Sequence, residues 1–135
     1  MRVVIDTNVL VSGLFWSGAP SEIVHAWKSG VLQTFMTEDI FDEYQRVFLH
    51  FSKKIDIHNV ETLFQNLVSK AHVVFPNEEL QQMKFCDDSD DDKFIVCALT
   101  AGDATVISGD KHLLTVSGKY GINVLTPGKF VKNYL

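Results

Sequence analysis

Apolar and polar positions alternate between two rhythms along the chain. Val3-Val4-Ile5 is a short β-branched run stopped at Asp6, the pattern of a parallel strand that is apolar on both faces. Gly18 and Pro20 mark a turn, and Ser21 is positioned to cap a helix running through Ile23, Val24, Ala26 and Trp27 to Gly30. Val31 to Met36 reads as a second strand. From Thr37, an N-cap residue, Ile40, Phe41, Tyr44, Val47 and Phe48 recur at helical spacing. A further helix covers Val60 to Ser69, with Leu63, Phe64, Leu67 and Val68 on one side, and His72 to Phe75 forms a third strand closed by Pro76. Phe94 to Ala101 is a strongly apolar helix ending at Gly102. Thr105-Val106-Ile107 is the next strand, Leu113-Leu114 a helical turn, Ile122 to Leu125 the last strand, and Thr126-Pro127 opens a terminal helix.

Strands alternating with helices imply an α/β fold with a mainly parallel central sheet and helices on both faces. No repeat, low-complexity stretch or linker interrupts the pattern, so residues 1–135 read as one domain. The longest unbroken apolar run, Phe94 to Leu99, is six residues, against the ~20 needed to span a bilayer. Only three apolar residues precede Asp6, against the ~7–15 of a signal peptide's core. A cytoplasmic address with no membrane attachment is the expectation. Cys86 and Cys97 match neither zinc nor redox spacing and read as core thiols. The formal net charge of −5 argues against a protein that coats nucleic acid by charge alone.

The carboxylates are placed unevenly. Val3-Val4-Ile5 runs into Asp6, and Thr105-Val106-Ile107 runs through Ser108-Gly109 into Asp110. Ligands of open α/β sheets gather at the carboxyl ends of strands, so both aspartates belong to one edge. On the helix after Thr37, a wheel of about 100° per residue puts Asp42 about 160° from the apolar centre and Glu43 about 100° from it. Glu43 therefore sits at the rim and Asp42 faces water. Cys86 to Asp92 holds five aspartates in seven residues. Asp92 shares the inward stripe of Ile95, Val96 and Leu99, and Asp91 a similar stripe with Phe94, Ile95 and Ala98, so periodicity does not choose between them.

Taken singly these residues have plain explanations. Asp at a strand end caps helices and turns, Glu on a helix is usually solvated, and an acidic loop is usually a solvated loop. Converging in a dry pocket, four carboxylates repel one another, and a hard divalent cation with oxygen ligands removes the conflict. Such an ion suits phosphodiester hydrolysis.

In this order and spacing the residues resemble the PIN-domain ribonucleases, especially the VapC-like toxins of bacterial toxin–antitoxin pairs. Val4-Ile5-Asp6-Thr7-Asn8-Val9-Leu10 is similar to that family's first motif, Glu43 falls at its second acidic position, and Asp92 through Asp110 resembles its third and fourth motifs. The family spacing selects Asp92 over Asp91. Ser108 and Asn8 stand at supporting polar positions, and Lys111-His112-Leu113-Leu114 resembles the family's Asp-Lys-Asp-Leu-Leu ending, with His112 where relatives carry an acid. The Asp88-Ser89-Asp90 segment also departs from the Asp-Pro-Asp of relatives.

The resemblance implies single-stranded RNA cleavage with Mg2+ or Mn2+ held by Asp6, Glu43, Asp92 and Asp110. It also implies a small antitoxin partner and often a homodimer. Arg46, Lys53 and Lys54 form the densest basic cluster and are candidates for RNA phosphate contact, with a solvated surface as the plain alternative. Phe15 and Trp16 either stack bases or join the core. Two rivals share these features. A haloacid-dehalogenase-like phosphotransferase also opens with a strand-end Asp, although Asn8 stands where its second aspartate belongs, and a non-catalytic PIN module would bind RNA or protein without turnover.

Overall fold

The computed structural model describes residues 1–135. Five strands, β1 (Arg2–Ile5), β2 (Gln33–Met36), β3 (His72–Val73), β4 (Thr105–Ile107) and β5 (Asn123–Leu125), form one sheet in the order β3-β2-β1-β4-β5. Every pairing is parallel. Eight helices connect them: α1 (Thr7–Phe15), α2 (Ala19–Lys28), α3 (Glu38–Ser52), α4 (Val60–Lys70), α5 (Glu78–Gln82), α6 (Asp92–Ala101), α7 (Lys111–Val116) and α8 (Pro127–Tyr134). The expected α/β class holds, and the sheet is wholly rather than mainly parallel. No helix is long and apolar enough to cross a membrane.

The central strands are apolar because both their faces are covered. Val3, Val4, Ile5, Val106 and Ile107 are fully buried, and α6 lies against β1, β2 and β4. Burial of these side chains is the main force assembling the sheet. Thr37 caps α3 by accepting the Ile40 amide, and Thr126 caps α8 through the Lys129 amide, as their sequence positions anticipated. Cys86 and Cys97 are both buried free thiols, and burial pushes each up to about 12.

Several boundaries differ from the pattern. Helix α2 starts at Ala19 behind Gly18 rather than at Ser21, because Pro20 fits the first turn, where its missing N–H costs nothing. Strand β3 is only His72–Val73. Helix α1 follows Asp6 directly and carries no sequence signature of a surface helix: Val9, Leu10, Val11, Leu14 and Phe15 bury it nearly all round. Gly13 lets α1 and α2 meet, since a Cβ there would come within 2.5 Å of the Pro20 carbonyl oxygen. Helix α5 was not visible as a periodic segment because it spans five residues and buries none of them.

Candidate active site

The parallel pairing of β1 with β4 aligns Ile5 with Ile107, so both strands end at one level of the sheet. Asp6 follows β1 with its amide bonded to the Ile107 carbonyl at 3.0 Å. Ser108 is fully buried and donates its hydroxyl to Asp6 Oδ2 at 2.5 Å, across 102 residues of sequence. The same Ser108 oxygen accepts the Asp110 amide at 2.9 Å. One hydroxyl thus ties the two strand-end aspartates together. Asp110 Oδ1 in turn accepts the His112 amide at 2.7 Å and starts α7, while the His112 side chain stays exposed.

Asp6 is 6% exposed. Burial raises its carboxyl above the ordinary range, opposed by the Ser108 hydroxyl and the nearby Asn8 amide and reinforced by the charges of Asp110 and Glu43. Asn8 is exposed at the mouth of a cleft of about 330 Å³ that also includes Asp6, Ser12, Gly109 and Asp110.

Glu43 is brought in by α3. Tyr44 beside it is fully buried and donates its hydroxyl to the Ile5 carbonyl, which seats that turn of α3 on the end of β1. Glu43 Oε2 accepts the Thr7 hydroxyl, and Oε1 lies 2.7 Å from Lys93 Nζ. The rim position read from the helical wheel is where the side chain lies, at 17% exposure, and Asp42 faces solvent.

Asp92, the third acidic position in the sequence pattern, is engaged by the loop that precedes it. Asp92 Oδ1 accepts the amides of Phe85 at 3.2 Å and Cys86 at 2.7 Å. It therefore fastens the incoming loop to α6 and lines a different cleft, shared with Asp39, Gln82 and Ser89. Asp91 instead carries a buried Oδ2 with no hydrogen-bond partner. Its carboxyl is pushed up to about 6, first by burial and then by the charges of Asp110, Asp88 and Asp6, with His112 pulling the other way. Asp6 and Asp110 are thus tied through Ser108, with Glu43 adjoining Asp6, the charge of Asp91 acting with theirs, and Asp92 Oδ1 engaged by the loop amides.

Arg46 Nη2 stands 3.9 Å from Glu43 Oε1 at the outer edge, and Lys53 and Lys54 are exposed just past the C-terminal end of α3. Phe15 is core, whereas Trp16 is half exposed and packs edge-on against Phe51. Thr7 and Lys93 are the contacts the pattern did not single out. Thr7 sits inside the Asp-Thr-Asn motif, which was its only signal.

The donor set is made of hard oxygens bearing unrelieved negative charge, and that chemistry fits Mg2+ or Mn2+. No three acidic, histidine or cysteine side chains converge closely enough to ligate one ion directly. An ion bound here would have to complete its shell with water, as Mg2+ commonly does. A family profile described as PIN domain matches residues 2–112, which take in Asp6, Glu43, Asp91, Asp92 and Asp110. No curated protein matches the chain.

Proposed function

The chain belongs to the PIN-domain family, and from that premise we propose that it is a divalent-metal-dependent endoribonuclease acting on single-stranded RNA, as the toxin of a toxin–antitoxin pair. PIN domains are typically metal-dependent nucleases, which supports a nuclease function. The observation that carries the reading is the strand-end pair Asp6 and Asp110, tied through the Ser108 hydroxyl at the carboxyl edge of a parallel sheet, with the raised carboxyl of Asp91 feeling both charges and one Asp91 oxygen buried without a partner. A functional ligand explains that cost better than any structural role.

Asp6 and Asp110 would hold the divalent ion, directly or through its waters, and Asp91 and Glu43 would border it. When bound, the ion supplies charge to a phosphodiester and lowers the proton affinity of water in its shell. The chain's residues do the rest. Ser108 holds Asp6 and Asp110 in fixed relative positions and donates to Asp6, keeping that carboxylate available as an acceptor. Thr7 fixes the rotamer of Glu43, and Tyr44 fixes the height of the helix that carries it. Arg46 on α3 and Lys53 and Lys54 just past its end offer cations for the RNA backbone.

The strand-end Asp6 alone favours the phosphotransferase reading, and Asn8, exposed and uncharged, stands where its acid would be needed. The decisive experiment is cleavage of a single-stranded RNA with Mn2+ and with EDTA, using the wild-type chain and Asp6→Asn. Metal-dependent cleavage lost in Asp6→Asn is expected. RNA binding with no turnover at any divalent concentration would leave the non-catalytic module instead. The toxin role is tested by growth arrest on expression, relieved by Asp6→Asn and by co-expression of a small protein encoded immediately upstream.

A further inference from the structure

The acidic centre is divided. The chain's two ion pairs, Lys93 with Glu43 and Arg46 with Glu43, both end on the same carboxylate. Glu43 Oε1 receives the Lys93 ammonium at 2.7 Å, and Oε2 receives the Thr7 hydroxyl. Both oxygens are thus engaged, and the charge is neutralised by a side chain that is only 21% exposed. Asp6, Asp91 and Asp110 have no lysine or arginine within ion-pair distance. Their partners are a hydroxyl for Asp6, a backbone amide for Asp110, and none for the inner oxygen of Asp91. One half of the centre lacks a cation and the other half already has one.

We infer that Lys93 is the built-in second cation of this site, so that the protein takes a single divalent ion at the Asp6–Asp91–Asp110 half and reserves Glu43 for the ammonium. The inference rests on the nuclease reading and specifies its metal stoichiometry. A second divalent ion on Glu43 would have to displace Lys93 from a short, shielded contact or lie beside it, and like charges at such separations repel strongly where water is partly excluded. A lysine ammonium brings one positive charge and three donors but does not polarise bound water as a divalent ion does. Arg46, nearly 4 Å away and 74% exposed in its side chain, contributes little to this neutralisation.

The test counts Mn2+ bound per full-length chain near pH 7.5, by isothermal titration and by the loss of the free Mn2+ resonance, beside the Mn2+ dependence of RNA cleavage. The wild-type chain is expected to bind one ion, with a non-cooperative Mn2+ response. Lys93→Gln frees Glu43 and is expected to bind a second ion within about 100-fold of the first, the upper end of the range over which groups supporting a metal site usually act. Lys93→Arg keeps one ion. The double variant Glu43→Gln/Lys93→Gln removes the neutral pair together and also keeps one, which gives a second reading if the single variant fails to fold. Two ions in the wild-type chain, one in a folded Lys93→Gln, or loss of the ion in the double variant overturns the inference and leaves the nuclease reading standing. No bound Mn2+ in the wild-type chain, or no loss in Asp6→Asn, overturns the nuclease reading itself.

Discussion

Asp91 and Asp92 are adjacent acids on which asparagine should have opposite effects. At neutral pH the Asp91 carboxylate is ionised against a carboxyl pushed up to about 6 from 3.8, with its inner oxygen unpartnered. A rise of about two pH units corresponds to about 3 kcal/mol, and the partial solvent access of this side chain reduces it to about 1–2 kcal/mol. Asp91→Asn removes that repulsion and leaves a neutral group in the same space, so the EDTA-treated protein should gain about 1 kcal/mol, or about 3–4 °C in Tm for a chain of this length. Asp92→Asn weakens two charge-assisted bonds, to the Phe85 and Cys86 amides. It should lose about 1–2 kcal/mol. Urea unfolding with EDTA, followed by Mn2+-dependent cleavage below both midpoints, gives the comparison. Asp91→Asn should be more stable and inactive, with Mn2+ no longer raising its Tm; Asp92→Asn should be less stable and active. An inactive, well-folded Asp92→Asn alongside an active Asp91→Asn would refute the argument in favour of the Asp92 of the family spacing.

Other expectations follow from the same contacts. The metal-free wild-type protein should become more stable as pH falls from about 7.5 to about 5: Asp91, titrating at about 6, and Asp6, also raised, bind protons in the folded chain before the unfolded one does. Urea midpoints with EDTA would show this gain, which should flatten in Asp91→Asn, and a steady fall in stability over that range would contradict it. Ser108→Ala removes the hydroxyl shared by Asp6 and Asp110, and should cost about 1–2 kcal/mol. Because Asp6 then loses a bond that lowers its proton affinity, the acid limb of the pH–rate profile should also move upward; an unchanged limb would mean that Ser108 is only packing. Replacing Arg46, Lys53 and Lys54 together by Ala should weaken RNA binding and reduce the salt dependence of log K by about 2 if all three meet phosphates. An unchanged slope would assign them to plain surface.

The strand-end aspartates were legible because their cause is local and repeated. An apolar run ending in Asp places the carboxylate at a sheet edge whatever the strand order, and pairing β1 with β4 then makes the two edges one. The rim position of Glu43 followed from simple helical geometry because α3 is long and polar on its outer face. Helix α1 was not legible for the opposite reason. It packs against α2, α3 and α4, so the polar stripe that reveals a surface helix is missing from its sequence. Lys93 was equally invisible, since nothing local to a lysine on the first turn of one helix announces a glutamate on another, 50 residues away.

The choice between Asp91 and Asp92 failed to emerge from periodicity for a specific reason. The wheel treats both as residues of one α-helix advancing about 100° each. Ser89–Asp91 is instead a turn of 3₁₀-helix that hands over to α6 at Asp92, and such a turn advances about 120° per residue. The Asp88 side chain holds that turn by accepting the Asp90 amide at 3.0 Å. Downstream, α6 is fixed by Phe94, Ile95 and Cys97 in the core. With the helix anchored on one side and the turn on the other, the rotation between them buries one oxygen of Asp91 without a partner and turns Asp92 toward the loop amides, which satisfy it. The five aspartates between Cys86 and Asp92 are therefore not one solvated acidic run: Asp88 closes the turn, Asp91 buries one oxygen, Asp92 fastens the loop, and only Asp87 and Asp90 remain as exposed carboxylates with no side-chain contact assigned to them.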